Sequence, residues 1–345
     1  MVTASRPGGT GSAEPVVSTD VDLAARTLAQ GGLVAFATET VYGLGADARR
    51  PDAVRRIFAV KGRPTDHPLI VHLADPAWMA RWATEVPDTA WRLAEACWPG
   101  PLTLVVPRGG DVPDTVTGGR STVGLRVPAH PVALALLAAF GDGVAAPSAN
   151  RFGRVSPTSA AHVAADLGGD VDLILDGGPC AVGVESTIVD CTGPRPEVLR
   201  SGGVSVDRVA EVLGAAPARW DGTGPARAPG MLAAHYAPRA RVVVATEADL
   251  VPVLEDVRAR RQPEAAPVAL LAPASVVAAH AAGWPDVIVL DPPADAAAYA
   301  RVLYARLRAV DLAGADVVVA VPPPADGGLG DAVGDRLRRA AASEA

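Results

Sequence analysis

From Leu33 to Leu213 the chain alternates two periodicities. Apolar runs of strand length are separated by stretches whose apolar positions share one helical face, and such an alternation restricts the chain to an α/β architecture. A helix is predicted over Asp20 to Gln30, closed by Gly31 and Gly32, and a strand over Leu33 to Thr38. Pro51 and Asp52 open a helix whose Val54, Ile57 and Phe58 share a face and which Gly62 ends, so Lys61 falls in its last turn. The predicted order continues with strand Leu69–Leu73, helices Asp75–Val86 and Asp88–Trp98, and strands Leu102–Pro107 and Thr122–Val127. Helix Pro131–Phe140, strand Gly143–Ala146, helix Thr158–Leu167, strands Val171–Leu175, Ser186–Asp190 and Val198–Arg200, and helix Asp207–Leu213 complete a twisted, partly parallel mixed sheet with flanking helices.

Residues 215 to 240 break the pattern with repeated Ala, Pro and Gly, yet hold Met231, His235 and Tyr236, which a plain spacer does not need. Beyond them, Arg241–Ala245, Val268–Ala272, Val287–Leu290 and Val317–Val321 are short apolar runs between helical stretches, the pattern of a smaller, Rossmann-like doubly wound domain. The expected organisation is a disordered leader over 1–15, a catalytic domain over 16–214, a linker over 215–240 and a C-terminal domain over 241–345.

A net charge of −7 argues against an extended nucleic-acid surface, leaving at most a local RNA contact. The first twenty residues lack an apolar core and no run approaches the ~20 apolar residues that span a bilayer, so a cytoplasmic protein without a membrane partner is expected. Cys97, Cys180 and Cys191 form neither an even disulfide set nor a metal-binding pair, and no His/Cys/Asp cluster has metal-site spacing, so no metal ligand from protein side chains is expected.

Two singletons stand out. Lys61 is the only lysine among 31 basic residues, within Lys61-Gly62-Arg63-Pro64, and Asn150 is the only asparagine, closing Ala146-Pro147-Ser148-Ala149-Asn150. An ammonium beside a guanidinium fork suits adjacent phosphates, whereas a last-turn cation also gains about 0.3–1 kcal/mol from the helix dipole alone. Thr38-Glu39-Thr40-Val41-Tyr42-Gly43-Leu44-Gly45 gathers hydroxyls, a carboxylate and glycines after a strand, as a polar-ligand loop or a capped turn would. Ser156 and Thr158 fit a phosphate at a helix start or a plain N-cap. Arg126, inside an apolar strand, requires either a substrate carboxylate or a structural Asp or Glu, and His72 is either a ligand contact or a satisfied core residue. The lone lysine has the wrong neighbours for a Gly-x-x-x-x-Gly-Lys phosphate loop, and Gly328-Leu329-Gly330 lacks dinucleotide spacing.

The ordered strings ThrGluThrValTyrGlyLeuGly (38–45), LysGlyArgPro (61–64), ProLeuIleValHis (68–72), TrpProGlyProLeuThr (98–103), GlyLeuArgValPro (124–128), ProSerAlaAsn (147–150) and SerThrIleValAsp (186–190) resemble the YrdC-like threonylcarbamoyl-AMP synthases. The resemblance covers residues 20–214 and runs through ProGlyMet (229–231) and HisTyrAlaPro (235–238) into the extra domain of the long, two-domain members. It implies that L-threonine, bicarbonate and ATP with Mg²⁺ give threonylcarbamoyl-AMP and pyrophosphate, for hand-off to the machinery that modifies tRNA adenosine. It further implies that Lys61 and Arg63 are the catalytic phosphate anchors. Thr38, Tyr42, His72, Arg126, Ala146 and Ser186 would line the threonine pocket. Thr65, Thr122, Ser148, Asn150, Ser156, Arg200 and Tyr236 would join the two anchors on the nucleotide, and His235 and Tyr236 would form a lid. Where members often carry basic residues before HisTyr, this chain has Leu232-Ala233-Ala234, which removes a phosphate contact from those positions. Two alternatives are another carbamoyl-adenylating enzyme, such as the YrdC-like module of hydrogenase-maturation carbamoyltransferases, and a non-catalytic RNA-binding module. The chain lacks the zinc-finger cysteine pairs of the first and the aromatic stacking set of the second.

Overall fold

Fifteen strands in two sheets carry the chain, in a computed structural model that describes residues 14–223, 227–231, 234–261, 266–280, 284 and 286–343. Up to residue 13 the expected leader lies outside the described residues, as do Leu232 and Ala233 of the linker. The first sheet takes β1 (Val17–Ser18), β2 (Val34–Phe36), β3 (Gly43–Asp47), β4 (Ile70–His72), β5 (Leu102–Pro107), β6 (Thr122–Arg126), β7 (Val144–Ala145), β8 (Leu173–Leu175), β9 (Thr187–Asp190), β10 (Glu197–Arg200) and β11 (Ala218–Arg219). Their order across the sheet is β1-β8-β2-β3-β7-β4-β6-β5-β9-β10-β11, with parallel and antiparallel pairs mixed. Its helices are α1 (Val21–Ala29), α2 (Pro51–Lys61), α3 (Asp88–Cys97), α4 (Asp114–Thr117), α5 (Pro131–Phe140), α6 (Ala160–Leu167) and α7 (Val206–Leu213).

The second sheet is parallel throughout: β12 (Arg241–Val244), β13 (Val268–Leu271), β14 (Val287–Val289) and β15 (Val317–Ala320), in the order β12-β15-β13-β14. Its helices are α8 (Leu250–Ala259), α9 (Ala274–His280), α10 (Ala296–Leu312) and α11 (Leu329–Ala341). Strict two-residue alternation builds its two faces. Val242, Ala269, Leu271, Val318 and Ala320 pack with Leu303, Leu307, Val333 and Leu337 of α10 and α11. Val268, Leu270, Val317 and Val319 pack with Leu250, Leu254 and Val276 of α8 and α9.

The short elements β1, α4 and β11 are not expected from the sequence, and two further segments take a different form from the one expected. The predicted helix Asp75–Val86 is a six-residue 3₁₀ turn, Pro76–Arg81, capped by the Asp75 carboxylate on the Ala77 amide. Tight winding lets Met79 and Trp82 both reach the core within one short segment. Strand β3 lies in Gly43-Leu44-Gly45, which reads as a turn in sequence. A side chain at Gly45 would meet Phe36 and Val144 at 2.8 Å, so the antiparallel β2–β3 pairing requires glycine there.

One face of the large sheet is divided in a way that positions the site. Helices α1 and α5 cover its β1-to-β7 part through Leu28, Leu136 and Leu137 against Val34, Phe36 and Val144. Across β4, β5, β9 and β10 the same face shows Ile70, Val105, Ile188 and Leu199, and these are covered by Ala228 and Met231 of the linker. Burying four aliphatic side chains under a loop rather than a helix leaves a cleft at the strand ends.

Candidate active site

That cleft is narrow, with about 50 Å³ of free volume beneath the linker. Parity of the strands decides what faces it: His72 follows Ile70 on β4, Arg126 pairs with His72 across β6, and Ser186 precedes Ile188 on β9. Thr38, Thr40, Ala146 and Ser148 come from the loops after β2 and β7, and Arg63, Arg200, His235 and Tyr236 complete the walls.

At one end Thr38 and Thr40 hydroxyls lie 2.8 Å apart, with Thr38 Oγ1 donating to the Val41 carbonyl at 2.6 Å. Arg126 donates to Thr40 Oγ1 at 3.0 Å and to the Gly100 carbonyl at 3.3 Å, and its Nη2 is 2.8 Å from Glu39 Oε1. Both charges are buried, so the carboxylate that the strand arginine requires is Glu39 of the same loop. The guanidinium still faces the cleft and can accept a second carboxylate. Ser186 Oγ is 2.8 Å from Thr103 Oγ1, and Arg200 donates to the Ser186 carbonyl from Nε and Nη2 at 3.0 and 2.8 Å.

The cations are placed differently from one another. Lys61 is 3% exposed and its ammonium donates to the carbonyls of Ser148 and Asn150 at 2.6 and 2.5 Å. It is thus neither a solvated helix-end cation nor a lining residue of the cleft, but a tether beneath the loop that presents Ser148. Burial, then repulsion from Arg63, holds its pKa well below the ordinary lysine value. Arg63 does line the cleft; it donates to the Pro68 carbonyl at 3.2 Å and its Nε has no partner. Burial lowers its pKa to about 10, so it stays charged at neutral pH.

The linker closes the opening. Gly230 has φ +77°, and a side chain there would meet Tyr236 Oη at 2.6 Å and Arg200 Nη1 at 2.9 Å, so both backbone conformation and space demand glycine in ProGlyMet. Arg200 Nη1 donates to the Pro229 carbonyl at 2.9 Å. The His235 ring meets Phe152 edge-on at 5.9 Å, and Phe152 also lies 5.9 Å from the Arg63 guanidinium.

The remaining sequence-picked residues do not line the cleft, some lying behind its walls and others away from it. Tyr42 is fully buried in the core, its hydroxyl donating to the Gly178 carbonyl and near Asp176 Oδ1, and burial raises its pKa. Asn150 donates to the carbonyls of Arg151 and Arg154, and Ser156 donates to Glu185 Oε1 at 2.8 Å. Thr65 is exposed beyond α2, and Thr122 opens β6 four residues, or about 13 Å, before Arg126. Two polar wall residues, Thr40 and Glu185, are not singled out by the sequence. Thr40 stands inside the first string, and pairing that string's carboxylate, Glu39, with the strand arginine points to it. Glu185, immediately before SerThrIleValAsp, gave no signal.

His72 and His235 are buried with unpartnered Nδ1 atoms, and burial pushes each pKa to about 3 from 6.5. Both are therefore neutral, and the unfolded chain takes up their protons first as pH falls. Stability is complete above pH 6.5 and is lost from there toward pH 3. By pH 5 each histidine removes on the order of 2 kcal/mol, and His67, His130 and His162, lowered in the same direction by burial, add to the slope. Urea midpoints should be flat from pH 7 to 8 and drop between pH 6.5 and 5; a flat profile over that lower window refutes neutral burial.

Guanidinium groups, hydroxyls and neutral histidines gather at the strand ends under a covering segment, the arrangement of an enzyme's active-site cleft. The chain matches the family model described as "Telomere recombination" over residues 26–202 and the model described as "Threonylcarbamoyl-AMP synthase, C-terminal domain" over residues 204–342. It is 42% identical over 327 residues to a threonylcarbamoyl-AMP synthase of Pyrococcus abyssi, covering 93% of each chain. It is 45% identical over 225 residues to one of Bacillus subtilis, covering 64% of this chain and 65% of that one. A crystal structure of P. abyssi Sua5 complexed with L-threonine superposes with a TM-score of 0.85 at 40% identity, covering 96% of this chain and 97% of that one. The chain belongs to the threonylcarbamoyl-AMP synthase family, in its long form with the extra C-terminal domain. It is an enzyme of this type. Among the described residues no helix is long and apolar enough to cross a membrane.

Proposed function

We propose that this chain condenses L-threonine, bicarbonate-derived CO₂ and ATP into threonylcarbamoyl-AMP with release of pyrophosphate, supplying the first intermediate of tRNA threonylcarbamoyladenosine formation. The observation that carries the proposal is the convergence of three buried guanidinium groups, those of Arg63, Arg126 and Arg200, on one covered cleft. In this reading Arg126, already balanced by Glu39, takes the threonine carboxylate, with the Thr38 and Ser186 hydroxyls and Ala146 around the amino acid. Neutral His72, whose burial holds its pKa at about 3, borders the amino acid as an uncharged contact and not as a base, so the threonine ammonium gives its proton to solvent before the amine adds to CO₂.

The carbamate oxygen then attacks the α-phosphorus of ATP and pyrophosphate leaves. Arg63 and Arg200, fixed and buried, neutralise charge on the transferring group, and Ser148, held by Lys61, contacts the nucleotide. Among the described residues no group of three or more His, Cys, Asp or Glu side chains could hold an ion, and Glu185 is already paired, so Mg²⁺ is taken as part of the MgATP substrate. When bound, Mg²⁺ neutralises polyphosphate charge. The linker, with His235 and Tyr236 on the opening, keeps water from the carbamate and the mixed anhydride. The product then passes to the transferase that modifies tRNA.

The test is pyrophosphate release from MgATP with threonine and bicarbonate omitted in turn. Release should need both, and a threonylcarbamoyl-AMP mass should accompany it. Release that persists without threonine, or none with every substrate present, sinks the proposal.

A further inference from the structure

Glu185 is the wall residue whose surroundings the reaction does not explain. It is buried, it lines the cleft beside Ser186, and a bare carboxylate there would oppose any phosphate brought to Arg63 and Arg200. Three donor groups from three side chains occupy it. Ser156 donates to Oε1 at 2.8 Å, from the same domain. The other two side chains come from the second sheet's helices: Tyr304 of α10 has its hydroxyl 3.0 and 2.8 Å from the two oxygens, and Arg336 of α11 donates from Nε to Oε2 at 2.8 Å. Arg336 is wholly buried and also donates to Asp335 at 2.6 Å and to the Ser201 carbonyl at 3.0 Å.

The same two residues form the seat of the linker. The Tyr236 ring stacks on Tyr304 with centroids 5.7 Å apart and planes at 26°, while the Arg336 guanidinium lies 5.3 Å from the Tyr236 ring. Tyr236 has φ +68°, the left-handed region that a bulky aromatic residue adopts only when its surroundings hold it there. The His235 amide donates to the Arg339 carbonyl of α11 at 3.2 Å.

We propose that Arg336 and Tyr304 are positioning residues for the cleft: they keep Glu185 a fully paired carboxylate turned away from the substrate, and with their other faces they seat Tyr236 over the opening. One network then couples the charge balance of the wall to closure, which gives the C-terminal domain a defined part in the reaction. The inference rests on the reading of the cleft as the site of synthesis, but part of its test needs no substrate.

The experiment compares the full-length chain with Tyr304→Phe, Arg336→Gln and the double variant Arg336→Gln/Glu185→Gln. Hydrogen–deuterium exchange over residues 227–241 should rise a few-fold in Tyr304→Phe, which keeps the ring under Tyr236, and roughly tenfold in Arg336→Gln, with the strands β4, β6 and β9 unchanged. Turnover should fall about fivefold and at least about tenfold respectively, and the double variant should regain about threefold because no unpaired charge remains buried. Exchange that is unchanged at 227–241, or that rises uniformly over the chain, overturns the proposal whatever the activity. So does a double variant no better than Arg336→Gln. Tyr304→Phe, which keeps the ring and the stack, supplies a folded protein if Arg336→Gln does not.

Discussion

Replacing Lys61 by arginine should lower turnover at least about 100-fold and also lower stability by roughly 1–3 kcal/mol. The ammonium reaches two carbonyls, of Ser148 and Asn150, from the end of α2 inside a slot with almost no exposed surface. A guanidinium is wider and planar, so it must displace the loop to enter. Ser148 would then leave the wall of the cleft. Methionine, of similar length, fits the slot but leaves both carbonyls without a donor, at about 1–3 kcal/mol each if no water replaces it. Initial rates and urea midpoints for Lys61→Arg and Lys61→Met settle the matter. Near-normal activity with either variant would show that the tether is dispensable.

The second large effect is at Arg126. Arg126→Met should destabilise the chain by about 3–5 kcal/mol, because Glu39 stays buried without the cation 2.8 Å away. It should also raise the KM for threonine at least about tenfold through loss of a charge-assisted contact to the carboxylate. Adding Glu39→Gln separates the two roles. The double variant should regain most of the stability and none of the threonine affinity, as read from chemical denaturation and KM in parallel. If it regains both, Arg126 serves only to neutralise Glu39.

These residues show how far the sequence carries. His72 and Arg126 are anomalous in the sequence because each interrupts an apolar strand; parity puts His72 on the face of Ile70, and the β4–β6 register adds Arg126 to it. The Arg126 partner stayed open between substrate and protein, since an arginine's need for an anion does not say which anion. Lys61 stands out in the sequence by being single, but nothing local tells whether a last-turn lysine points to water or folds inward. Tyr42 shared a string with Thr38 and Thr40, yet its ring belongs to the core, because the turn before β3 sends it to the opposite face.

The sequence by itself determined most of the element types, though not the 3₁₀ turn at Pro76–Arg81 or the strand at Gly43–Asp47, together with the division into a mixed-sheet and a parallel-sheet unit and the ordered strings that carry the family. Those properties depend on neighbours a few residues apart, through periodicity, caps and turn residues. The tertiary structure decided which part of the sheet face no helix covers, that Lys61 ties a loop 87 residues away, and that Glu185 meets an arginine 151 residues later. Strand order and domain packing set those pairings. A buried charge finds its partner through them, and no local pattern along the chain records the result.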